Sequence, residues 1–308
     1  MTVSRKRVRV RRVRGFVVAL AATLFVACRD STGVGRTSAR LVFVREPYDT
    51  LFVADPGSGA VEQRIPLGMP ASRFGFSPPG NRLAVVSAGA LWVMNADGSS
   101  ANRLVSSVGN FAWSPDGSRL AYVQGTSHEV HIIGSDGTGD TVLPGTVAGG
   151  FQGIAWSPDG TRIAFDGIRQ LNPGETRTVY VINVDGSGLR DVDLSLSGPA
   201  MRASGEPTWS PDGRQVTIER VFLDPGGTRE TKLWVVTLSS GSARRITSGA
   251  GDDVRPSWSP NGKQIAFLRY SGDAPDVFVV RPDGSGLRQI TMTPEREEAP
   301  QFWRSPPQ

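Results

Sequence analysis

Cysteine is nearly absent from this 308-residue chain, with Cys28 its only example. A lone thiol excludes an internal disulfide framework and any cysteine-rich zinc site. Histidine is almost as scarce, with His128 and His131 alone. Three residues apart on extended chain, their side chains point to opposite faces, so they do not share a metal in ordinary geometry. No apolar run approaches the roughly 20 residues that a membrane-spanning helix needs. No G-x-S-x-G elbow occurs, which removes the usual setting of a serine nucleophile. The Asp-Gly stretches at Asp185 and Asp283 lack the D-x-[DN]-x-[DN]-G…E pattern of a calcium loop and are expected to be turns. No metal and no cofactor are expected.

Charge of one sign is concentrated at the front. The chain carries +5 overall with a pI near 9.9. Residues 1–14 hold seven Lys/Arg and no acid, and without them 27 basic residues face 29 acidic ones, about −2. A basic stripe for phosphate contacts is therefore not expected, nor is a nucleic-acid partner. The basic segment leads into a 13-residue apolar run, Gly15 to Ala27. That combination is a secretory signal. Leu24-Phe25-Val26-Ala27-Cys28 resembles a bacterial lipobox, with Phe25 where Leu is usual. The expected organisation is a lipoprotein signal peptide over 1–27, lipidation at Cys28, a polar tether over 28–39 and one domain over 40–305.

That domain is written as a repeat. FSPPGNRLAV, WSPDGSRLAY, WSPDGTRIAF, WSPDGRQVTI and WSPNGKQIAF start at Phe76, Trp113, Trp156, Trp209 and Trp258, and a degenerate FWRSPPQ closes the chain around Trp303. The aromatics are 37, 43, 53, 49 and 45 residues apart, a period that points to a repeat array of β-sheets. Pro fixes φ in each turn, Asp caps it and Gly supplies positive φ. A third strand follows each phrase, with an aromatic in a fixed slot: Phe52, Trp92, Tyr180, Trp234 or Phe278. His131 occupies that slot in the remaining unit, where packing is its expected role. A second tight turn and a short fourth strand complete each unit. The first unit lacks its SPDG strand, and residues 299–305 supply only that strand. The fold class expected is all-β: a six-bladed β-propeller whose composite first blade is closed by the C-terminal strand.

The repeated hairpin resembles the WD40-like (PD40) propeller repeat of the TolB family, over Arg40 to Ser305. The resemblance implies the propeller fold, a cell-envelope location and a protein-binding role. The α/β domain that precedes the TolB propeller has no room between Cys28 and Arg40, so TolB's own role is not implied.

Candidate site residues follow from loop geometry. The SPDG and Asp-Gly turns share one face of the disc. The links between strands two and three, and between blades, share the other. Long excursions on that second face run over 166–178, 193–206, 220–231 and 248–255, carrying Arg169, Arg202 and Arg229. Insertions on one face of a repeat protein often mark the binding face. Three residues before each repeated aromatic, Arg73, Asn110, Gly153, Glu206, Arg255 and Pro300 should ring the channel mouth, with Gln152, Asp253 and Glu298 beside them. The expected function is a non-enzymatic, monomeric binding module for a protein or peptide, held at a membrane of the cell envelope by its lipid and facing the periplasm or the cell surface. The alternative is a propeller hydrolase or lyase acting on a lactone or glycan at the mouth. A carbohydrate-binding surface is a weaker third reading.

Overall fold

The computed structural model describes residues 41–44, 48–54, 61–125, 127–146, 153–171, 174–192, 202–223, 229–271 and 275–290. Cys28, the signal and tether segments, and the strand expected at 299–305 lie outside the described residues.

Six antiparallel sheets follow one another along the described chain. Sheet 1 has three strands, β1 (Leu41–Val44), β2 (Thr50–Ala54) and β3 (Val61–Pro66). Sheet 2 contains β4 (Arg73–Phe76), β5 (Arg82–Ser87), β6 (Ala90–Asn95) and β7 (Asn102–Val105). Sheet 3 contains β8 (Val108–Trp113), β9 (Arg119–Gln124), β10 (Val130–Gly134) and β11 (Thr141–Val142). Sheet 4 contains β12 (Ile154–Trp156), β13 (Arg162–Leu171), β14 (Gly174–Asn183) and β15 (Arg190–Asp191). Sheet 5 contains β16 (Arg202–Trp209), β17 (Gln215–Leu223), β18 (Arg229–Thr237) and β19 (Ala243–Arg245). Sheet 6 contains β20 (Asp252–Trp258), β21 (Ile265–Tyr270), β22 (Asp276–Val280) and β23 (Arg288–Gln289). The three-stranded first sheet is the incomplete unit that the repeat pattern anticipates.

The SPDG phrase builds its turn from side chains. In sheet 3, Ser114 Oγ donates to Asp116 Oδ1 at 2.6 Å and accepts the Arg119 N–H at 2.9 Å. Asp116 Oδ1 also accepts the Ser118 N–H at 3.0 Å. The Ser114 hydroxyl and the Ser118 backbone and hydroxyl groups hold the Asp116 carboxyl down to about 2. Ser157 with Asp159, Ser210 with Asp212 and Ser259 with Asn261 repeat the arrangement. The second turns work alike: Asp185 and Asp283 accept the N–H and hydroxyl of Ser187 and Ser285, so their carboxylates are engaged in turn formation.

Period-two alternation then distributes the core. In β5, Leu83 and Val85 face sheet 1 while Ala84 and Val86 face sheet 3. Further clusters fill the gaps between sheets 3 and 4, 4 and 5, and 5 and 6. Each fully buried Val, Leu, Ile or Phe contributes about 1.5–3 kcal/mol, and no single sheet can collect that without neighbours. Polar links reinforce the gaps. Trp113 and Trp209 donate Nε1–H to Gly75 O and Ala155 O of the preceding sheets, at 2.9 and 3.1 Å. Arg119 and Arg162 stack over Trp156 and Trp209 of the following sheets, 5.1 and 4.9 Å from the ring centroids.

His131 packs as its slot requires. Its ring lies 5.0 Å from that of Tyr122, much as Tyr180 stacks on Phe165 and Phe278 on Phe267.

Two segments read as loops in the sequence are regular hairpins. β13 and β14 have 10 residues each, and β17 and β18 have 9. Their counterparts in sheets 2, 3 and 6 have 5 or 6. The extra length runs away from the SPDG turns, because the second strand of each unit starts at that turn.

Candidate functional site at the channel mouth

In sheets 2 to 6 the first strands pack against one another, β4 on β8, β8 on β12, β12 on β16 and β16 on β20, and β-bulges shape three of them. Register shifts lie between Val108 and Phe111 in β8, Ser204 and Thr208 in β16, and Val254 and Ser257 in β20. Each interval contains the residue three places before the tryptophan: Asn110, Glu206 or Arg255. A bulge bends its strand and re-aims a side chain, so the expected ring positions are the ones the backbone redirects.

Several of these positions meet. Arg73 of sheet 2 and Glu206 of sheet 5 lie 3.5 Å apart (Nη1 to Oε1), with about a third of each side chain exposed (31 % and 27 %). Sheets 2 and 5, distant in sequence, thus touch here. Gly153 presses against the same strand, since a Cβ there would lie 2.6 Å from Glu206 Cα. Only glycine fits so close an approach.

Behind this rim stands a set of buried acids. Asp166 is fully buried; it accepts the Gly153 N–H at 2.8 Å and has Arg177 at 3.6 Å. Glu219 is 6 % exposed and accepts the Arg255 N–H at 2.7 Å. The other Glu219 oxygen fills space that a side chain at Gly205 would occupy, 2.6 Å from the position of a Cβ, and Gly205 has φ +94°. Burial holds the Glu219 carboxyl well above the usual range, and the charges of Glu206 and Asp166 push the same way against the Arg255 N–H and guanidinium.

A second group is an internal clamp. Asp253 is fully buried and receives two hydrogen bonds from Arg269, at 2.6 and 2.8 Å. Lys232, also fully buried, lies 3.8 Å from Asp253 and donates to Gly251 O. Asp253 is thus engaged by arginine within its own sheet rather than presented at the rim. Asn110 is also buried, 8 % exposed, with Oδ1 accepting the Phe111 N–H. Arg229 opens β18 and is exposed, and Arg169 and Arg202 lie on β13 and β16. Gln152 and Glu298 lie outside the described residues. Among the described residues, no three His, Cys, Asp or Glu side chains are grouped to hold a metal ion.

Reading single motifs missed Asp166, Glu219, Arg177, Lys232 and Arg269. Aligning the second strands would have found two of them. RLAVV and RLAYV become RIAFD at Arg162 and QVTIE at Gln215, with an acid where the others have valine.

Repeated four-stranded sheets around a charged mouth, with long hairpins on one face, define a β-propeller. The family described as the TolB beta propeller domain matches residues 155–305, the second half of the chain. The structure of putative TolB from Agrobacterium tumefaciens is 24 % identical, with 75 % of this chain and 83 % of that one covered and a TM-score of 0.58. TolB from Acinetobacter baumannii is 19 % identical, covering 84 % of this chain and 69 % of that one, with a TM-score of 0.53. Hydrazine synthase of Kuenenia stuttgartiensis, 13 % identical, covers 90 % of this chain and 81 % of its own, with a TM-score of 0.63. Proteins with such different names share the fold, and function lies in the site rather than in the fold. No curated protein matches the sequence.

Proposed function

We propose that this protein is a non-enzymatic binding module, an exported lipoprotein anchored through Cys28 whose propeller engages a protein or peptide of the cell envelope through its long-hairpin face. The observation that carries the reading is the asymmetry of that face. β13–β14 and β17–β18 extend well past their counterparts, beside a mouth where Arg73, Arg255 and Glu206 stay partly exposed. Rigid β-ribbons that stand proud of a disc offer backbone edges and side chains to a partner at little entropic cost. The resemblance of the repeat to TolB supports an envelope setting, and the leader pattern supports lipidation.

The anchor and the binding face are tested separately. Replacing Cys28 (Cys28→Ala) should release the protein from membranes, and unchanged membrane association would refute lipidation. The double variant Arg169→Glu with Arg229→Glu should lose the species that cross-link to the native protein in whole envelopes. Persistence of every species would exclude this face. The hydrolase or lyase reading has one observation in its favour, a carboxyl, Glu219, held well above the usual range by burial and by the charges of Glu206 and Asp166. A tightly held divalent ion in the purified protein, with turnover of lactones or glycans, would support it.

A further inference from the structure

Arg255 is held in an unusual way. Among the described residues it is one of few non-glycine residues with positive φ, at +55°, a conformation that persists only where surrounding structure enforces it. The enforcing contact is the Glu219 carboxyl, which accepts its N–H from β17 of the neighbouring sheet. That hydrogen bond fixes the backbone, and the guanidinium lies near enough for its charge to act on Glu219. The Arg255 side chain is partly exposed and makes no hydrogen bond or ion pair among the described residues. Strain of this kind, spent on presenting an arginine, is characteristic of ligand clamps.

Arg73 reaches the same mouth from sheet 2, and Arg177 from sheet 4. Arg73 and Arg177 stand 3.5 and 3.6 Å from Glu206 and Asp166, beyond the 2.7–2.9 Å of a strong charge-assisted hydrogen bond. At this length the Arg73–Glu206 pair is open to replacement by a better-placed acceptor.

We propose that the mouth is a carboxylate-binding site, in which Arg255 and Arg73 grip an Asp, Glu or C-terminal carboxylate of an incoming acidic peptide segment. This rests on the binding-module reading and specifies its partner's chemistry. Guanidinium forks match a planar carboxylate in two parallel hydrogen bonds. Glu206 and Asp166 keep the net charge small, so a densely charged polyphosphate or sulfated glycan would meet repulsion along with attraction. A peptide with spaced carboxylates meets less, and its backbone N–H groups can donate to Glu206.

The test is fluorescence anisotropy on the full-length protein in detergent at neutral pH, with a short labelled peptide of alternating Glu and Gly. Its Gln counterpart serves as control. The Glu peptide should bind about tenfold more tightly, and Arg255→Gln should remove about that factor. Replacing Glu206 (Glu206→Gln) should tighten binding about threefold, because it releases Arg73 from its internal competitor. That opposite sign separates ligand binding from misfolding and decides the matter even where Arg255→Gln fails to fold. Arg288→Gln, on the outer strand β23, should change nothing. Equal affinity for the Glu and Gln peptides, or displacement by heparin or inorganic phosphate as effective as by unlabelled Glu peptide, would overturn the proposal. If a pull-down from envelope extract captures a protein that excess Glu peptide does not displace, the binding module stands and its acidic ligand falls.

Discussion

Six residues beyond the turn glycine, sheets 2, 3 and 6 place Val86, Val123 and Leu268, whereas sheets 4 and 5 place Asp166 and Glu219. All five are buried, between 0 and 6 % exposed. The backbone position is the same, so the difference isolates what an acid does there. An aliphatic side chain adds about 1.5–3 kcal/mol of burial. A carboxyl at that depth costs free energy unless hydrogen bonds replace its water. The structure supplies them through the Gly153 and Arg255 N–H groups. Sheets 2 and 3 are thus built for cohesion, while sheets 4 and 5 give up part of it to hold charge at the channel mouth. The same two sheets carry the long hairpins.

The comparison can be broken from either side. The largest effect is expected in the clamp. Truncation by Arg269→Ala leaves Asp253 buried without its fork and should cost about 3–5 kcal/mol, measured by urea unfolding. Placing an acid in a cohesive sheet, by Val123→Asp, should cost about 3 kcal/mol, because no N–H donor is arranged for it there. A loss under about 0.5 kcal/mol would show that the position tolerates acids generally. The smallest effect is pH-dependent. The folded state keeps the Glu219 proton to higher pH than the unfolded chain, whose carboxyl titrates near 4.5. Stability from this group is therefore complete below that value and declines as pH rises through the folded-state value. Glu219→Gln should match the native protein near pH 4 and exceed it increasingly at higher pH, as read from Tm.

Much of the fold was legible because each repeat states its own chemistry. Ser, Pro, Asp and Gly specify a turn, and the alternation around Leu83 to Val86 specifies two buried faces, without knowledge of distant partners. Of the residues before each aromatic, Arg73 lies beside Glu206 and Gly153 packs against it, while Asn110 is buried and Pro300 lies outside the described residues. The rest depended on register. Asp253 read as a rim residue, yet its partner Arg269 lies directly across in the neighbouring strand, a pairing fixed only after the bulge at Val254 to Ser257 is known. The hairpin over 166–178 read as a loop for a related reason. Past the core it has no apolar face to impose alternation, so GETRT carries no period-two signal although it pairs in register through Gly174 with Leu171.

Hydrogen exchange of the protein with and without its captured envelope partner tests the functional asymmetry most directly. Protection confined to the hairpins of β13–β14 and β17–β18 and to the bulges at Glu206 and Arg255 is the expected result. Protection at the turns around Asp116, Asp159 and Asp212, with the mouth unchanged, would contradict it and move the working surface to the opposite face.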